Sequence, residues 1–102
     1  MYAGPDDPRL EQDFARARQR AEEFRNQYRG HVADLKGPDL FQAVRELEEI
    51  LELAGRFTAY ASLLHAAQVD VPRHGALLAR AQEEASFVRQ ALLFFELEWL
   101  AL

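Results

Sequence analysis

Residues 78–102 read LARAQEEASFVRQALLFFELEWLAL, and they carry the strongest periodic signal in the chain. Apolar residues recur there at alternating steps of three and four, which is the spacing of one face of an α-helix. These positions are Leu78, Ala81, Ala85, Val88, Leu92, Phe95, Trp99 and Leu102. A second apolar line in the C-terminal half consists of Phe87, Ala91 and Phe94. The pattern predicts a helix over residues 72–102 that begins amphipathic and ends apolar on almost every side.

The apolar end of this helix predicts an interface. A helix that is apolar nearly all round is typical of buried positions, and a chain of 102 residues cannot easily cover it. We therefore expect its large side chains to contact something outside the chain. The predicted interface residues are Phe87, Phe94, Phe95, Trp99 and Leu102. We expect Glu96 and Glu98 to follow the one solvated strip of the helix or to meet an arginine of a neighbour.

Two further helices precede this one. Asp6, Asp7 and Pro8 predict a capped start near residue 7, and Gly30 predicts a stop after residue 29. The apolar stripe of the first helix is Leu10, Phe14, Ala17, Ala21, Phe24 and Tyr28. The second helix is predicted over residues 39–67. Its stripe is Leu40, Val44, Leu47, Leu51, Ala54, Thr58 and Ala61, widened by Ile50, Phe57 and Leu64.

Gly55 lies inside the second predicted helix, where glycine costs about 1 kcal/mol relative to alanine. Its neighbours Ala54, Ala59 and Ala61 are also small. This combination indicates either the close approach of another helix or a bend at Gly55. The apolar pattern continues through Gly55 without losing phase, which favours close approach.

The short link between the second and third helices predicts an antiparallel helical hairpin, with the first helix packed alongside. The fold class predicted from the sequence is therefore all-α. The architecture is an antiparallel three-helix bundle built on a long helical hairpin. We expect a single helical domain over residues 1–102.

Charge and composition exclude several classes of function. The net charge of −5 argues against nucleic acid as a partner, because phosphate binding needs a basic face. The absence of cysteine removes disulfides, thiolate metal sites and cysteine nucleophiles. The N-terminus lacks the basic start and apolar run of a signal peptide, and the apolar run near the C-terminus is too short to span a bilayer. We expect a cytoplasmic protein without a membrane partner.

Catalytic motifs are missing from the sequence. No HExxH zinc motif is present, and no histidine has a glutamate three residues before it, as di-iron bundles require. His65 and His74, with Asp70, could approach each other across the turn, but solvated histidines are much commoner than such sites. Glu46, Glu48, Glu49 and Glu52 indicate a solvated helix face. We predict no catalytic, cofactor-binding or metal-binding residue in this chain.

Two segments nevertheless resemble a known family. The first is GRFTAYASLL over residues 55–64, and the second is ALLFFELEW over residues 91–99. In this order they resemble the N-terminal helical region of the oligoendopeptidase F family of zinc metallopeptidases. The opening residues 2–8, YAGPDDP, also resemble the family's entry into its first helix. The resemblance covers essentially the whole chain, as a pattern of helices rather than of catalytic residues.

The resemblance implies a fragment of a larger, cytoplasmic zinc peptidase that cleaves short peptides. The helices would wall the substrate cleft and be structural and inactive alone. Zinc and the HExxH motif would belong to the parent's catalytic domain, which would be the partner of this piece. No catalytic or zinc-binding role can be carried over to any residue here. The alternative function is a stand-alone helical interaction module that forms a homo-oligomer through its apolar C-terminal helix.

Overall fold

The computed structural model describes residues 2–4 and 6–102, and the residues described include three α-helices. The helices are α1 (Pro8–Tyr28), α2 (Pro38–Ala67) and α3 (Pro72–Leu100). A short 3₁₀ turn, Val32–Asp34, connects α1 to α2. The predicted all-α class is confirmed, and each helix ends within two residues of its predicted bounds. Met1 and Pro5, which the predicted domain includes, lie outside the described residues.

The ends of the helices follow from local chemistry. The side chain of Asp7 accepts a hydrogen bond from the backbone N–H of Arg9 at 2.9 Å, and Pro8 is the first helical residue. The Arg9 side chain, together with the backbone N–H groups of Ala3 and Arg9, holds the pKa of Asp7 below its usual range. Gly30 follows α1 with a φ of 82°, a conformation that glycine adopts without strain. The predicted cap and stop of α1 are therefore confirmed.

The three helices run up, down and up. His65 lies against Gly75, and one groove is lined by both Ala54 and Ala85, so α2 and α3 pair in antiparallel register. α1 is antiparallel to α2 and parallel to α3. Its position is fixed by contacts to both long helices, which include Phe14 with Phe57 on α2 and Arg18 with Glu84 on α3. The bundle is a rod of 50 × 21 × 18 Å.

The core lies between α1 and the α2–α3 hairpin. All six residues of the predicted stripe on α1 are buried, so that prediction is confirmed. The rings of Phe14 and Phe57 meet edge to face with centroids 4.8 Å apart. Nearer the C-terminus of α3, the ring of Phe24 lies 5.7 Å from Phe94 and 5.8 Å from Phe95. These aromatic contacts hold α1 against both long helices.

The predicted stripe on α2 needs a correction. Ile50 and Phe57, which the pattern treats as additions to the stripe, are among the most buried residues of α2, whereas Leu51 is 41% exposed. The stripe also omits Ala43 and Leu53, which are buried. The physical reason is that α2 packs against α1 and α3 at once, so its centre of burial lies between them. The predicted stripe runs along the α3 side and continues onto an uncovered surface.

Polar contacts surround the two seams of α1. Ion pairs join α1 to α3 through Arg18 with Glu84 and Arg80 with Glu11, and join α1 to α2 through Arg20 with Glu49. A hydrogen bond also joins α1 to α2: the hydroxyl of Tyr28 donates to the Glu46 carboxylate at 2.9 Å. Within residues 2–4 and 6–102, no ion pair joins α2 to α3.

No helix formed by the described residues combines the length and apolar composition that crossing a bilayer requires.

We predict that Phe57→Ala lowers the free energy of unfolding by about 3–5 kcal/mol, because it leaves a cavity beneath Phe14. The matched control is Phe41→Ala on the same helix, where the ring is exposed. That variant should stay within about 0.5 kcal/mol of the wild type. Urea unfolding followed by circular dichroism, at one protein concentration for all three chains, measures both values. Equal losses in the two variants would contradict the placement of Phe57 in the core.

We also predict that Tyr28 makes the fold sensitive to alkali. Burial, then the hydrogen bond to Glu46, raises the pKa of Tyr28 from 10.0 to about 12. Because the folded state keeps its proton longer than the unfolded state, this stabilisation is complete below pH 10 and is lost as the pH rises towards 12.

The variant Tyr28→Phe isolates this effect. Near pH 7 it should be about 1–2 kcal/mol less stable than the wild type, since Oε2 of Glu46 loses the hydroxyl that donates to it and, among the described residues, only Oε1 keeps a donor, Gln42. The difference should shrink between pH 10 and 12 in thermal melts. Tyr2 is the second tyrosine whose pKa is raised, chiefly by burial. The variant Tyr2→Phe therefore measures how much of the pH dependence belongs to Tyr2 instead of Tyr28. A difference that is constant across this pH range would contradict the prediction.

Candidate functional site

A cleft lies beside the start of α1. It has a volume of about 500 Å³ and is lined by Tyr2, Arg9, Gln12, Asp13, Arg16 and Arg56. Asp13 accepts a hydrogen bond from the Tyr2 hydroxyl, and Asp7 pairs with Arg9. Two of the three arginine charges are thereby offset by carboxylates. The cleft keeps one net positive charge in an open, solvated setting, which gives only weak attraction for an anion.

The sequence also raised His65, His74 and Asp70 as polar groups that could approach each other across the turn between α2 and α3. His74 is buried near the start of α3, and His65 near the end of α2 lies against Gly75. The Nδ1 atoms of both are buried without a hydrogen-bond partner among the described residues. Asp70 is exposed in the turn. No three histidine, aspartate or glutamate side chains are grouped to hold a metal ion in the part of the chain that the structure describes.

A different surface is formed by α2 and α3 on the side away from α1. Two adjoining grooves of about 310 and 320 Å³ lie there, and no residue of α1 lines either one. They share Leu51 and Arg89. We call this surface the open face. The residues that line it are Leu47, Leu51, Ala54, Gly55, Thr58, Ala59, Ala85, Arg89, Leu92, Leu93, Phe95 and Glu96.

The open face is apolar but uncovered. Leu51 on α2 is 41% exposed and Leu93 on α3 is 48% exposed. Further along α3, Leu97 and Leu100 are also exposed. The hydroxyl oxygen of Thr58 is buried there without a hydrogen-bond partner among the described residues. Monomeric proteins rarely leave a contiguous apolar surface of this kind without a binding role.

Gly55 lies in the floor of the open face, and this corrects an expectation. Apart from the adjoining part of α2 itself, no atom of the described residues lies within 4 Å of the position that a Cβ would take at Gly55. The prediction that another helix approaches closely at Gly55 is therefore wrong for the helices of this chain. The helix α2 also continues through Gly55 without a break. The small residues around it leave a groove, and no helix of the chain fills that groove.

The predicted interface residues divide into two sets. Phe95 is 7% exposed and belongs to the core of this chain, and Phe94 packs against it as part of the same cluster. Phe87 lies beneath the guanidinium of Arg18, with Cζ 3.9 Å from the ring centroid. α1 thus uses these three rings. Trp99 and Leu102 are exposed.

The two glutamates near the end of α3 also differ. A side-chain oxygen of Glu98 accepts a hydrogen bond from the backbone N–H of Gly30 at 2.9 Å, which ties the end of α3 to the turn after α1. Glu96 is exposed and lines the open face beside Leu93. Sequence reasoning missed Leu51, Arg89 and Leu93 as site residues. The available signal was an apolar pattern on α2 wider than one helix contact needs.

We predict that Gly55→Ala raises the free energy of unfolding of the single, undimerised chain by about 1 kcal/mol, because alanine favours a helix interior and the added methyl group meets no neighbouring helix of the chain. Gly30→Ala is the contrasting variant, since the positive φ there strains any residue with a Cβ, and it should destabilise the chain. Thermal melts of both variants test the pair. A destabilised Gly55→Ala variant would show that another body occupies the groove closely or that α2 is strained there.

The chain matches no protein-family model, no curated protein and no solved structure. The resemblance to oligoendopeptidase F stays a prediction.

Proposed function

We propose that this chain is a helical interaction module that self-associates through its open face. The observation that carries the proposal is the pair of adjoining apolar grooves on α2 and α3. The exposed Leu51 lines both grooves, the exposed Leu93 lines one of them, and no residue of α1 lines either groove. The partner that covers these grooves is a second copy of the chain, because symmetric dimers are the commonest closed assembly of identical chains.

The accessible surface supports this proposal. The chain exposes 6563 Å², about a tenth more than the roughly 5900 Å² expected for a compact monomer of its mass. The rod shape contributes to this excess, and so do the leucines of the open face. Covering those leucines with a second open face would remove apolar area from water at both surfaces.

The chemistry of the open face fits a protein partner better than a small molecule. Its grooves are open rather than enclosed, and its polar groups are few: Thr58, Arg89 and Glu96. Small-molecule sites enclose most of the ligand and use several convergent polar groups. A long, shallow surface between two helices is instead the geometry that receives the apolar side of another helix.

The peptidase-fragment function stays a prediction from the resemblance. It would require a different occupant for the same surface, namely the catalytic domain of a parent zinc peptidase. The cytoplasmic location and the lack of a nucleic-acid partner also stay predictions. Self-association is the function for which the open face itself supplies an argument.

We predict that the wild-type chain sediments as a dimer of about twice 11.7 kDa at about 100 µM. Leu93→Glu should weaken self-association roughly 30-fold or more, because it buries a carboxylate at the centre of the interface. Sedimentation velocity and light scattering measure both, and circular dichroism checks that the variant keeps its helices.

Leu63→Glu is the matched control. Leu63 is also a leucine on a long helix, is 67% exposed and lies outside the open face. This variant should dimerise like the wild type. A monomeric wild-type chain at this concentration would overturn the proposal. Equal loss of association in the two variants would move the interface away from the open face.

A further inference from the structure

Two opposite charges lie on the open face on either side of Leu93. Arg89 and Glu96 are both exposed and both line the groove that Leu93 lines. Seven residues separate them, which is almost two helical turns and about 10 Å along α3. They therefore point in nearly the same direction. Neither takes part in an ion pair among the described residues.

The seams inside the chain show how it places such charges. Arg18 pairs with Glu84 across the α1–α3 seam, next to the buried edge of Phe87. Arg80 pairs with Glu11 across the same seam. In each case an arginine and a glutamate flank an apolar contact between two helices. Arg89 and Glu96 likewise flank an apolar residue, Leu93, but both belong to α3, and among the described residues neither has a partner of opposite charge in an ion pair.

An antiparallel arrangement of two copies supplies both missing partners. If a two-fold axis passes between Leu92 and Leu93, position 89 of one α3 lies opposite position 96 of the other. The two arginine–glutamate pairs then form at equal distances from the axis, with Leu93 of each copy between them. A parallel arrangement would instead place Arg89 against Arg89 and Glu96 against Glu96, which is repulsive.

The same arrangement accounts for another exposed side chain. Leu100 is 74% exposed and lies on the open side of α3, almost two turns beyond Leu93. About this axis it falls opposite position 85 of the second copy. That residue is Ala85, which is small and lines the open face. A large apolar residue thus meets small ones at each end of the interface, as interdigitating helices require.

We propose that two copies of this chain pair with their α3 helices antiparallel, held in register by two ion pairs between Arg89 of one copy and Glu96 of the other. This inference rests on the self-association proposed above and adds the orientation and the register of the partner. The apolar residues supply the association, and the two charged residues select one arrangement of it.

Charge reversal tests the register directly. Arg89→Glu and Glu96→Arg should each weaken homodimer formation roughly tenfold or more, because each creates two like-charge contacts. An equimolar mixture of the two variants should form a heterodimer with affinity within about threefold of the wild type, since every contact is again complementary. The double variant R89E/E96R should likewise regain the homodimer. Sedimentation velocity of the single variants, the mixture and the double variant gives all four values.

Matched controls separate register from net charge. Arg45→Glu and Glu52→Arg make the same charge changes on α2 outside the open face, and both should dimerise like the wild type. The affinity of the wild-type dimer should also fall with added salt, and the affinity of the double-variant dimer should fall to a similar extent.

The outcomes distinguish this inference from the function on which it rests. If Leu93→Glu is monomeric but the charge-reversed variants dimerise normally, self-association stands and the antiparallel register is overturned. If both single reversals weaken the dimer and their mixture stays monomeric, the register is also overturned. A monomeric wild-type chain overturns both proposals.

Discussion

The structure depends on one geometric constraint: a helical hairpin has two broad faces, and one further helix can cover only one of them. The hairpin consists of α2 with 30 residues and α3 with 29, whereas α1 has 21. At 1.5 Å per residue, the two long helices extend about 45 Å and α1 about 32 Å. The aromatic cluster around Phe24 lies on the side that α1 covers, and so do the ion pairs that join helices among the described residues. The opposite side keeps leucines and small residues with nothing over them.

This constraint explains which parts of the fold could be predicted from the sequence. The predicted stripe on α1 coincides with its buried residues because only one side of α1 packs against the hairpin. On α2 the pattern predicted a helix correctly, but it placed the exposed Leu51 in the stripe and omitted Ala43 and Leu53, which are buried. A helix with two neighbours and a third apolar side has no single stripe, so periodicity alone cannot locate its core. The prediction of close helix approach at Gly55 is wrong for a related reason. The continuous apolar pattern establishes the helix, but it carries no information about what lies opposite Gly55 in space.

The end of α3 illustrates the same limit for the site. Apolar residues all round the helix predict more than one contact surface, but the pattern cannot assign side chains to surfaces. Phe24 and Arg18, which cover Phe94, Phe95 and Phe87, come from a helix about 70 residues earlier in the chain. Only their positions in space show that α1 uses these rings. The side chains that stay exposed are Leu93, Leu97, Trp99, Leu100 and Leu102, which no single line of the sequence pattern separates from the rest.

Apolar area alone would make the open face adhesive without making it selective. Leucines can pack against leucines in several registers, and each register buries a similar area. Charged groups at the edge change this, because a wrong register places like charges together or leaves a charge partly desolvated without a partner. Arg89 and Glu96 are positioned for that role: they flank Leu93, they face the same way, and they are related by an axis at which a second α3 can be antiparallel. A face that served only as leftover surface would gain solubility from scattered charges, with no need for opposite signs at matched distances from one leucine. The spacing therefore favours a second copy over an unspecific apolar contact.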